Sequence, residues 1–136
     1  MRLFLDSSVI ISACGSERSL SSLIFEIAAQ QGWFLVSAAY CRAETVKNLT
    51  KFPSSATRRW EDYQRRIEWL PNALTTPRPL LLTASKDKPV LISALAAECG
   101  TFLTLDRGDF SLLLGTEVYR MLVTTPRDFL IRAGLG

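Results

Sequence analysis

The chain contains no histidine, which excludes Ser-His-Asp and Cys-His catalysis and removes the commonest transition-metal ligand. Acid/base or metal chemistry must therefore run on carboxylates. Asp6 follows the apolar run Leu3-Phe4-Leu5 and precedes Ser7, Ser8 and a second apolar run, Val9 to Ile11. Asp106 follows Thr101 to Leu105 in the same way and opens Asp106-Arg107-Gly108-Asp109-Phe110. Asp87 stands at the start of Asp-Lys-Pro-Val-Leu-Ile-Ser-Ala, and Glu44 one helical turn after Tyr40. Each acid also has an ordinary reading. Asp6 and Asp87 suit helix N-caps, Glu44 a solvated helix position beside Lys47 and Asn48, and Asp106 to Asp109 a polar turn.

The elements around these acids alternate in type. Leu3–Leu5, Trp33–Val36 and Thr101–Leu105 read as short buried strands, and Val118–Thr124 as a last one. Helical spacing runs from Leu20 to Ala28, with Ser19 as cap and Gly32 as stop. A second helix is expected from about Ala38 to Asn48 and a third from about Ala56 to Leu70, ending at Pro71. Pro79 to Thr83 is a candidate edge strand. Asp87 with Pro89 opens a further helix that Gly100 should stop, and Pro126 to Ala133 closes the chain. Neither a repeat nor a linker interrupts 1–136. The expectation is one α/β domain whose mainly parallel sheet of four to five strands is flanked by helices.

That architecture changes the odds for the acids taken together. Strands joined by right-handed crossovers end at one shared edge, where helices following strands also begin. Asp6, Asp87, Asp106 and Asp109 can meet there, with Glu44 reaching in from its helix. Clustered carboxylates at neutral pH either take up protons or bind a cation. Hard oxygen ligands select Mg²⁺ or Mn²⁺, which can activate water against a phosphodiester. Without metal, Asp6, Asp87 and Asp106 should repel one another and show raised pKa values.

Composition narrows the setting. The 136 residues are 48% hydrophobic, enough for one core. No apolar run approaches the ~20 residues of a membrane span, and the N-terminus lacks a signal peptide's apolar region. Cys14, Cys41 and Cys99 are odd in number and form no Cys-x-x-Cys pair. Reduced thiols in a cytoplasmic protein are expected, not a zinc site. The net charge of +3 and pI near 9.0 permit a polyanionic partner. Arg58, Arg59, Arg65 and Arg66 gather on one side of the third predicted helix, opposite Trp60, Tyr63, Ile67 and Leu70. They are candidate contacts to RNA phosphates, partly offset by Glu61, Asp62 and Glu68.

The opening Leu-Asp-Ser-Ser-Val-Ile-Ile-Ser-Ala resembles the first motif of PIN domains. Asp87-Lys-Pro-Val-Leu-Ile-Ser-Ala-Leu-Ala-Ala and Cys-Gly-Thr-Phe-Leu-Thr-Leu-Asp-Arg-Gly-Asp-Phe resemble their second half, and Val-Thr-Thr-Pro-Arg-Asp-Phe-Leu their final strand and helix. Glu44, in Ala-Glu-Thr-Val-Lys-Asn-Leu, is a looser match. The resemblance covers nearly the whole chain. It implies Asp6, Glu44, Asp87 and Asp106 as the acids of a metal-dependent ribonuclease site, with Asp109 as a frequent extra. Short stand-alone members resemble VapC-like toxins, which dimerise and are held inactive by a small antitoxin. Ser7 stands where many members have Thr. Ser8 is acceptable where Asn or Ser is usual in the family, its hydroxyl available to Asp109 or a metal-bound water.

Three other readings compete. An inactive PIN-like binding module would have no use for mutually repelling acids. A haloacid-dehalogenase-like phosphatase needs a second Asp two residues after Asp6, where Ser8 stands. A dinucleotide site would need glycines after the first strand, and Asp6-Ser-Ser-Val-Ile has none.

Overall fold

A computed structural model describes residues 1–71, 88–108, 110 and 113–135. The first apolar run forms β1 (Arg2–Leu5), and α1 (Ser7–Gly15) starts immediately after Asp6. Next come α2 (Leu20–Gln31), β2 (Phe34–Ala38), α3 (Ala39–Leu49) and α4 (Ser54–Tyr63). A single 3₁₀ turn (Gln64–Arg66) leads into β3 (Ile67–Leu70). The second half contains α5 (Lys88–Ala96), β4 (Thr101–Leu103), β5 (Thr116–Val118), β6 (Met121–Thr124) and α6 (Pro126–Arg132).

The strands make one six-stranded sheet in the order β3-β2-β1-β4-β6-β5. All neighbours are parallel except β5, which runs antiparallel to β6. Strand β1 lies inside the sheet with Leu3, Phe4 and Leu5 fully buried, which explains its continuous apolar run. Successive side chains alternate faces. Leu3 and Leu5 join a core with Ile10, Phe25, Trp60 and Leu130, while Phe4 joins another with Cys41, Leu91 and Phe102. The strand order reverses between β1 and β4, so their carboxyl ends flank the switch point where open α/β sheets bind ligands.

Local signals placed several helix ends correctly. The Ser19 hydroxyl accepts the Ser22 N–H at 3.1 Å, and Gly32 closes α2 at φ 70°. At α6, Thr125 accepts the Asp128 N–H at 3.2 Å, and Gly134 is left-handed at φ 75°.

Elsewhere the expectation fails. The helix predicted to reach Leu70 ends at Tyr63, and Ile67–Leu70 pairs with Leu35–Ala38 as an edge strand. The 60-63-67-70 apolar spacing suits a helix, but backbone pairing with β2 decides the last four residues. Val118–Thr124 is not one strand. It is part of a hairpin whose two-residue tip, Tyr119 and Arg120, has φ of 48° and 71°. Among the described residues the mainly parallel sheet accordingly has six strands, where four to five were expected. Helix α5 is stopped by Glu98 at φ 57°, and Gly100 instead enters β4 by donating to the Arg2 carbonyl at 3.2 Å. The candidate strand Pro79–Thr83 lies outside the described residues.

Candidate active site

Asp6 is the N-cap of α1, in extended conformation at φ −67°, ψ 155°. Its N–H extends the β1–β4 ladder to the Leu103 carbonyl at 3.0 Å, while its side chain turns into the start of the helix. Oδ1 accepts the Ser7 N–H at 2.9 Å. Oδ2 accepts two hydroxyls, Thr104 at 2.7 Å and Ser8 at 3.1 Å. One oxygen of the carboxylate thus caps the helix while the other takes the two hydroxyls.

The same hydroxyls hold the turn after β4. Thr104 Oγ1 accepts the Asp106 N–H at 3.0 Å, and Ser8 Oγ accepts the Leu105 N–H at 2.9 Å. Asp106 is half-buried there, and its Oδ1 accepts the Gly108 N–H at 3.1 Å. Glu44 approaches from the other side. It is half-buried on α3, which packs along α1, and its Oε1 accepts the Ser7 hydroxyl at 2.8 Å. Asn48 donates to the Glu44 carbonyl at 2.8 Å and steadies that turn of the helix.

Asp6 is only 7% exposed, and burial pushes its pKa up to about 6. The Thr104, Ser8 and Ser7 hydrogen bonds oppose that rise, and the nearby charge of Glu44 adds a little to it. The expected cause was repulsion among acids, whereas loss of solvent is the larger one. Among the described residues no Lys or Arg pairs with Asp6. A buried carboxylate supplied with hydroxyls but no cation, and facing a second acid, has the hard-oxygen chemistry of a Mg²⁺ or Mn²⁺ ligand.

The structure thus brings Asp6 together with Glu44 through Ser7, and with Asp106 through Thr104. Among the described residues no three acids or cysteines form a group that could hold a metal by itself. Asp87 and Asp109 lie outside the described residues. Ser8 Oγ donates to Asp6 and accepts the Leu105 amide, and the contact expected between it and Asp109 lies outside the described residues. Sequence reasoning overlooked Thr104 and gave Ser7 no task. The Thr-x-Asp pattern at 104–106 and the hydroxyl directly after Asp6 were the available signals.

The four arginines differ in their contacts. Arg59 donates its Nε to the Cys14 carbonyl at 2.6 Å, binding α4 to the last turn of α1. That anchor lies eight residues along α1 from Asp6, roughly 12 Å at 1.5 Å per residue. Arg66 pairs with Asp62 at 2.8 Å and lies over the Tyr63 ring. Arg58 and Arg65 are exposed. All three cysteines are free and buried. Burial pushes the Cys41 thiol to about 12, with the charge of Asp6 adding to it. No helix among the described residues is long and apolar enough to cross a membrane.

No protein-family model matches the sequence, nor does any curated protein. A solved structure does. The chain is similar to one in the crystal structure of VapBC2 from Rickettsia felis, bound to a DNA fragment from their promoter. The TM-score is 0.65 at 12% identity, over 92% of this chain and 98% of that one. Likeness at such identity carries the fold, and here it joins the strand order and the acid-bearing switch point. The chain has the α/β fold of PIN domains.

Proposed function

We propose that the protein is a Mg²⁺- or Mn²⁺-dependent endoribonuclease and the toxin of a toxin–antitoxin pair. The observation that carries this reading is Asp6, a buried carboxylate at the β1/β4 switch point whose partners are hydroxyls and an amide. Asp6, Asp106 and Glu44 would hold the ion, with Asp87 and Asp109 as the further acids of the set. When bound, such an ion lowers the pKa of a water molecule and offsets the charge of a phosphodiester. Thr104 and Ser8 fix the orientation of Asp6, and Ser7 that of Glu44. The likeness to a VapBC2 chain supports a small antitoxin as partner. A homodimer acting in the cytoplasm on RNA completes the proposal.

An inactive binding module is the weaker reading, because a buried carboxylate with no cation beside it among the described residues only costs stability unless something uses it. The test is cleavage of labelled RNA by purified protein with Mn²⁺, with Mg²⁺ and with a chelator, beside Asp6→Asn. Metal-dependent cleavage lost in the variant is the expected result. Cleavage that survives both chelation and Asp6→Asn overturns the mechanism.

A further inference from the structure

Ser7 touches two of the acids with two different groups. Its N–H donates to Asp6 Oδ1 at 2.9 Å and its hydroxyl to Glu44 Oε1 at 2.8 Å. Ser7 is 4% exposed and occupies the first position of α1, where its backbone is fixed by the helix. Its side chain is therefore held in place before any ligand arrives. Glu44, by contrast, is a long side chain on a different helix, and among the described residues only this hydroxyl holds its carboxylate. A flexible acid without such a partner loses rotamer freedom on binding an ion. With one, that loss is already met in the fold.

Resting on the metal-dependent reading above, we infer that Ser7 is a positioning residue, which sets Glu44 relative to Asp6 so that both can serve one divalent ion. The hydroxyl acts on Glu44 alone, since the contact to Asp6 is made by the backbone. Ser7→Ala consequently removes one contact and keeps the other. Alanine is also the best helix former, so the first turn of α1 is not penalised. A hydroxyl needed only for packing would show itself in metal-free stability. A positioning hydroxyl shows itself in metal affinity, and only while Glu44 is present.

The experiment measures Mn²⁺ binding directly, from the electron paramagnetic resonance signal of the free ion. The proteins are wild type, Ser7→Ala, Ser7→Thr, Glu44→Ala and the Ser7→Ala/Glu44→Ala double variant. Ser7→Ala is expected to weaken Mn²⁺ binding about tenfold, the usual scale for residues that orient metal ligands. Ser7→Thr should restore it, and in the Glu44→Ala background the Ser7 change should alter affinity less than twofold. If Ser7→Ala does not fold, Ser7→Cys, similar in size with a weak donor, carries the same expectation. Binding within twofold of wild type in Ser7→Ala, or equal losses with and without Glu44, overturns the inference. Wild type that binds no Mn²⁺ overturns the metal reading as well, whereas failure in Ser7→Ala alone leaves that reading standing.

Discussion

The Thr104 hydroxyl lies 2.7 Å from Asp6 Oδ2 and 3.0 Å from the Asp106 amide, joining two acids that are a hundred residues apart in the chain. It donates to the first and accepts from the second, so its single proton is committed to Asp6. The distance follows from register. Leu5 pairs with Leu103, and the next residue of each strand lies at the same height.

Thr104→Val should test that junction. It keeps the shape but removes one of the three donors to Asp6, leaving Ser7 and Ser8, and takes the Thr104 hydroxyl away from the Asp106 amide, at a cost of about 1–3 kcal/mol. Because the lost bond favours the ionised carboxylate, the cost should shrink at pH 5, where Asp6, with a pKa of about 6, is mostly protonated. Urea unfolding at pH 7.5 and pH 5 measures this. Equal losses at both pH values would show that the hydroxyl does not act through Asp6.

Asp6 also fixes the sign of the pH dependence of stability. Its folded pKa of about 6 exceeds the ordinary 3.8, so the folded metal-free protein binds the proton more tightly than the unfolded chain. Stability should therefore rise as pH falls from 7.5 through 6 and level off near 4. The full gain for this one group is roughly 3 kcal/mol, at 1.36 kcal/mol per pH unit. Asp6→Asn should remove most of that slope. A variant whose stability climbs as steeply as wild type would assign the effect to other groups.

Metal should relieve the same cost by another route. Mn²⁺ is expected to raise the melting temperature of wild type at pH 7.5, increasingly with its concentration, and chelator to reverse it. Asp6→Asn should melt above the metal-free wild type and respond little to Mn²⁺. The idea fails if Mn²⁺ raises both proteins equally.

The arginines separate into structural and exposed members. Arg59→Ala should destabilise by about 1–2 kcal/mol, since it leaves the Cys14 carbonyl without a charged donor. Arg58→Gln with Arg65→Gln should leave the melting temperature unchanged but flatten the salt dependence of RNA binding by up to about two phosphate contacts. An unchanged salt slope would take Arg58 on α4 and Arg65 on the 3₁₀ turn after it out of the proposed RNA surface.

At the hairpin tip, Arg120→Gly should stabilise by roughly 0.5–1 kcal/mol, because glycine accepts a left-handed backbone without the penalty of a Cβ. Calorimetry of the two proteins decides it, and a lower melting temperature for the glycine variant would mean that the Arg120 side chain holds the turn.

That tip also shows where sequence reading fails. Two-residue turns of this kind usually contain Asn or Gly, and Tyr119-Arg120 gives neither signal, so one strand was read in place of two. At Ile67 and Leu70 the local period was real, and a distant strand overruled it. Asp6 and Asp106 were legible because a carboxylate ending an apolar run is costly to bury. Ser7 and Thr104 were not, since hydroxyls are tolerated almost anywhere. Only the fold shows which of them point at an acid.

The β1/β4 register has a consequence for how such a sequence can diverge. Asp6 and Thr104 meet because of strand length and pairing, not because of which apolar residues precede them. Volume-matched exchanges among Leu3, Phe4 and Phe102 should cost less than about 1.5 kcal/mol each. Inserting or deleting one residue before Asp6 would instead turn the carboxylate to the opposite side of the sheet. Selection on this site therefore restrains spacing far more than spelling. A chain could replace nearly every interior residue of these two strands and keep Asp6 and Thr104 in place.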